Sequence, residues 1–119
     1  MDAREFIAKI KRAVRDSAIE ETIRVLQLPP GRHPPLELLK QANWYRSLSP
    51  EDQQMLSQII ANAANRAIFG FLCVLDGVRF IEDDEHKGDF QLNFVKNGSK
   101  LLNGPEAPML YELFNDPEV

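Results

Sequence analysis

The chain has 119 residues, 44% hydrophobic and 27% charged, with one cysteine and a formal net charge of −4. That length suits one domain, 1–119, burying about two-thirds of its extended surface, and one cysteine excludes an internal disulfide framework or a cysteine-only zinc site. An acidic chain lacks the basic surface that neutralises phosphates, which excludes general nucleic-acid binding.

The N-terminus is charged from Asp2 onward and reads as no signal peptide. The uncharged apolar stretch Ala67 to Leu75 is about half a bilayer span. A cytoplasmic location with no membrane partner is therefore expected. The charge is uneven. Residues 1–48 hold nine Lys/Arg against six Asp/Glu, and residues 49–119 hold five against twelve. An acidic half steers basic partners.

From Asp2 to Gln27 there is no Gly or Pro, and Phe6, Ile10, Ala13 and then Ile19, Ile23, Leu26 recur at helical spacing. The stripe slips near Asp16-Ser17, as at a bend or between two abutting helices. Lys9, Lys11, Arg12 and Arg15 are assigned to its solvated face. Leu28 to Pro35 holds four prolines and reads as a stiff extended connector. A second helix is expected over Pro35–Arg46, with Leu38, Ala42 and Tyr45 on one face. Ser49-Pro50-Glu51-Asp52 is a helix start, with Ser as N-cap, Pro in the first turn and carboxylates at the positive dipole end. The third helix runs to Asp76-Gly77, where Gly supplies the left-handed terminating residue. Its apolar end, Ala67 to Leu75, is expected to be the central buried element, with a close helix crossing at Gly70.

From Val78 the period becomes two. Val78 and Phe80, then Phe90, Leu92 and Phe94, alternate with polar residues as half-buried strands do. Glu82 to Asp89 reads as a polar hairpin loop, and Asn97-Gly98 as a type I′ turn into a third strand, Lys100 to Leu102. Pro108 to Asn115 reads as a short last helix with Leu110, Leu113 and Phe114 inward. The expected class is α+β. It comprises three N-terminal helices over 1–77, then a three-stranded antiparallel meander and a C-terminal helix over 78–119, with the core between the third helix and the meander.

Trp44 to Asp52, Ile68 to Leu72 running into Leu75-Asp76-Gly77, and Asp89-Phe90-Gln91-Leu92 together resemble small uncharacterised bacterial α+β domains, some of them toxin-immunity-like. The likeness spans roughly residues 44–114 and rests on caps, core and turns, so it speaks to fold more than to function. It implies a non-enzymatic inhibitor that occludes a toxin or effector domain, and it carries over no catalytic residue.

The candidate chemistry concentrates in one loop. Glu82, Asp83, Asp84, Glu85 and Asp89 offer a contact surface for a basic protein partner, with Trp44 as a supporting aromatic. Trp44 and Tyr45 diverge by about 100° on a helix, so one packs inward and the other stays accessible. Five acids could also gather a hard cation, and Asp83, Asp84 and His86 could serve a small metal-dependent hydrolase. EF-hand spacing is absent, however, and one His beside acids needs ligands from outside the loop. The reading adopts no metal and no cofactor. Cys73 lies in a hydrophobic run and reads as a core thiol rather than a nucleophile. Asp76 reads as a cap-region residue. A third alternative is a structural subunit or homodimer formed through the first helix.

Overall fold

A computed structural model describes residues 1–119. The helices are α1 (Ala3–Ile10), a π-helical segment (Lys11–Asp16), α2 (Ser17–Gln27), α3 (Leu36–Ser47), α4 (Pro50–Leu75) and α5 (Leu110–Asn115). Two three-residue strands, β1 (Asn93–Val95) and β2 (Ser99–Leu101), pair antiparallel. The chain divides into two compact units, Met1–Val14 with Arg66–Val119, and Arg15–Asn65.

The slip in the first helical stripe has a structural cause. Helix α1 begins where Asp2 accepts a hydrogen bond from Glu5 N at 2.8 Å, and it is followed directly by the π-helical turns and then α2. A π turn holds one residue more than an α turn. The buried series Ala3, Ile7, Lys11 would continue at 18, 22 and 25 in a regular helix. The apolar series resumes instead at Ile19, Ile23 and Leu26, one position later.

This also corrects the inward face of α1. Ala3 and Ile7 are buried, while Ala13 is exposed. Lys11 leaves the solvated face assigned to it. Its Nζ donates to the main-chain oxygen of Asp116, the residue that ends α5, at 2.7 Å and to that of Val119 at 2.8 Å.

In the first unit the core is made by helices. Ala3 and Ile7 of α1, Leu72 of α4 and Leu110, Leu113 and Phe114 of α5 form one buried cluster. Phe69 meets Tyr111 edge-on, with ring centroids 5.8 Å apart. The expected core between helix and meander is therefore corrected to helix against helix. In the second unit α2 packs on α3, with Leu26, Ala42 and Tyr45 buried. Arg46 Nη2 donates to Gln27 O at 3.0 Å, and Gln53 Nε2 donates to Tyr45 O at 3.0 Å.

The caps of α4 follow the sequence. Ser49 Oγ accepts from Asp52 N at 3.1 Å. At the far end Gly77 has φ +74°, Gly77 N donates to Val74 O, and Val78 N donates to Cys73 O, which is the Schellman arrangement. The end of α4 is not buried all round, as expected, but on one face. Gly70, Leu72 and Cys73 are buried while Phe71 is exposed. What covers Gly70 is a side chain rather than a helix, since a Cβ there would overlap Arg79 Nη1. Helix α4 is also long and apolar enough, by length and composition alone, to cross a membrane. One 18-residue window has a mean hydropathy of 1.4, and 17% of that window is buried.

The three-stranded meander does not form. Only β1 and β2 pair, with Asn93 opposite Leu101 and Val95 opposite Ser99. Asn97 and Gly98 both take positive φ, as an Asn-Gly turn requires, although three residues rather than two separate the paired ends. Val78 and Phe80 are no strand, because the amides of Val78 and Arg79 both cap α4 at Cys73 O. Further on, the Asn103 side chain takes the place of a strand partner. Its Nδ2 donates to Leu75 O and Phe90 O, and its Oδ1 accepts from Leu92 N, all at 2.8–2.9 Å. Backbone groups satisfied in this way are not available to a ladder.

Candidate functional site

The acidic loop is part of an irregular segment, residues 76–92, that leaves α4 and reaches β1. Its ends are fixed by the Schellman bonds and by Asn103. Its interior closes on itself. Glu82 Oε2 accepts from Gly88 N at 2.8 Å, Lys87 Nζ donates to Asp84 O at 2.8 Å, and the same ammonium lies 5.0 Å from the Phe80 ring centroid. The seven residues from Glu82 to Gly88 are thereby held as a compact surface loop rather than a hairpin between strands.

Within this loop Asp83, Asp84, Glu85 and Asp89 are exposed. Glu82 is exposed too, but its carboxylate holds Gly88, which makes it the anchor of the loop. No group of three His, Cys, Asp or Glu side chains converges to hold a metal ion, so Asp83, Asp84 and His86 remain separate side chains. Trp44 belongs to the other unit, on α3. It is 54% exposed while Tyr45 is buried, the divergence expected of consecutive helical positions.

Sequence periodicity hid the apolar part of this surface. Phe80 is 64% and Ile81 66% exposed, and Phe90 and Phe71 also face solvent. Val74, Arg79, Phe80, Ile81, Glu82 and Phe90 border one shallow depression, and Phe71 lies one helical turn from Val74. Val78, Phe80 and Phe90 belong to runs that alternate as a strand would, and that alternation pointed to a core face. With no strand formed there is no core face for them to occupy. Clustered exposed apolar side chains often mark an interaction surface.

The remaining polar candidates have structural partners. Asp76 Oδ2 accepts from Tyr111 N at 2.9 Å and so caps α5 across 35 positions of sequence. Cys73 is buried. Asp2 has its pKa lowered, first by the hydrogen bond from Glu5 N and also by the charge of Lys100. Tyr111 has its pKa raised by desolvation and by the neighbouring Glu112 carboxylate. Neither shift belongs to the acidic loop. No protein-family model, curated protein or solved structure matches this chain.

Proposed function

We propose that the protein is a non-enzymatic interaction module that binds a basic protein partner through the 79–90 loop. The observation that carries this reading is the juxtaposition in one short segment, 79–90, of exposed Phe80, Ile81 and Phe90 with exposed Asp83, Asp84, Glu85 and Asp89. Burying one such apolar side chain contributes about 1.5–3 kcal/mol. The surrounding carboxylates add steering and exclude acidic competitors. Like charge opposes pairing of this face with its own copy. An immunity-like inhibitor that occludes a basic effector is the form implied by the resemblance to small bacterial α+β domains.

The test uses two baits in parallel on extract from the native cells at low salt. One is the wild-type chain. The other carries Asp83→Asn, Asp84→Asn, Glu85→Gln and Asp89→Asn, leaving the Glu82 anchor intact. A stoichiometric basic protein retained by the first bait, released by salt and absent from the second is the expected result. Equal retention on both baits removes the acids from the reading, and a chain that elutes alone removes the reading itself.

A further inference from the structure

An open cavity in the first unit is lined by none of the acidic-loop residues. It measures about 580 Å³ and is bounded by the start of α1, by β2 and by the segment 102–108. We infer that it is a binding site for an uncharged, predominantly apolar small molecule. Ala3, Leu101, Leu102, Ala107, Pro108 and Leu113 supply the apolar lining. Its volume falls within the range of about 300–1,000 Å³ that accepts whole small molecules.

The wall is built before any ligand arrives. Ala3, Leu102 and Leu113 are themselves buried, so that side of the cavity rests on packed structure. Ala107 N donates to Gly104 O at 3.0 Å, which closes the turn that carries Pro105. Leu101 Cδ2 lies 3.0 Å from where a Cβ on Gly104 would sit. Asn103, between them, is tied to Leu75, Phe90 and Leu92. A preformed cavity binds without the ordering cost of a mobile one.

The charges at the mouth decide the class of ligand. Arg4 and Lys100 face Asp2 and Glu106 around the same cavity. Asp2 already accepts from Glu5 N and feels Lys100, and Arg4 lies 3.9 Å from Asp116. Two cations and two anions leave no net charge at the site to favour an ionic ligand of either sign, so recognition rests on apolar area and shape. The volume also exceeds what one inserted side chain from a partner would fill.

The probe is the uncharged fluorophore N-phenylnaphthylamine, titrated into the full chain. Saturable one-to-one enhancement is expected, with amide shifts confined to residues 2–4 and 100–108 in NMR spectra of the wild type. Ala107→Trp, which puts a large ring into the cavity, should weaken binding about tenfold or more, while Phe80→Ser leaves it within about twofold. Absence of saturable binding, or amide shifts centred on Phe71, Phe80 and Phe90, would overturn the assignment. So would a dimer in sedimentation that excludes the fluorophore, because a second copy would then occupy the cavity. The wild-type shift map decides the matter even if Ala107→Trp fails to fold.

Discussion

The α1–α5 core and the 76–92 segment belong to the same unit, yet different forces hold them. In the core, Ile7 and Leu110 are completely buried, and burial of apolar area does the stabilising. In the segment, Phe80 and Ile81 face solvent, and the backbone is held by directed hydrogen bonds to Cys73 O, to the Asn103 amide and to the Glu82 carboxylate. A segment held chiefly by hydrogen bonds can leave Phe80 and Ile81 outside the core. The core has no such freedom, because removing a methyl group there leaves a cavity.

Substitutions can break or sharpen this contrast. The largest effect is expected for Leu110→Ala, which should cost about 2–5 kcal/mol in denaturant unfolding. A loss below about 1 kcal/mol would mean that α5 is not packed as described. Next comes Asn103→Ala, which removes two donated bonds and one accepted bond and should cost about 1–3 kcal/mol. Hydrogen exchange should accelerate at Leu92, whose amide donates to Asn103 Oδ1. Unchanged exchange there would show that other groups hold the segment.

Gly77→Ala places a Cβ at φ +74° and should cost about 1–2 kcal/mol. The cost here is conformational, since nothing lies within 4 Å of such a Cβ. The smallest stability effect belongs to Phe80→Ser with Ile81→Ser, expected to stay within about 0.5 kcal/mol. A large loss from that pair would erase the contrast, because those side chains would then be supporting the fold.

The N-terminal cap adds a pH dependence of known sign. The folded pKa of Asp2 lies below its ordinary value of 3.8, so the carboxylate contributes stability that is fully present above that value. The contribution is lost as pH falls through the lower folded value. Asp2→Asn, which still caps but does not titrate, should melt with a weaker dependence on acid. Identical acid profiles for the two proteins would remove Asp2 as a source of acid sensitivity.

Chain-local signals were legible without the structure. Ser49 as a cap, Gly77 as a terminator, positive φ at Asn97-Gly98 and the inward set Leu110, Leu113, Phe114 all follow from interactions within a few residues. The same holds for the opposed exposure of Trp44 and Tyr45. In each case steric and hydrogen-bonding rules of the local backbone suffice. The acidic loop was equally legible as a cluster of charge, but its self-closure through Glu82 and Gly88 was not.

What only the tertiary structure decided depends on long-range partners. A lysine buried against main-chain oxygens more than a hundred residues away and an asparagine substituting for a strand both involve distant backbone groups. Alternation over 78–94 suggested strands because period two records side-chain polarity. It does not record where the backbone hydrogen bonds go, and here they go to a helix end and an amide side chain. The cavity between α1 and β2 escaped the sequence for the same reason, because its walls come from three segments brought together only by folding.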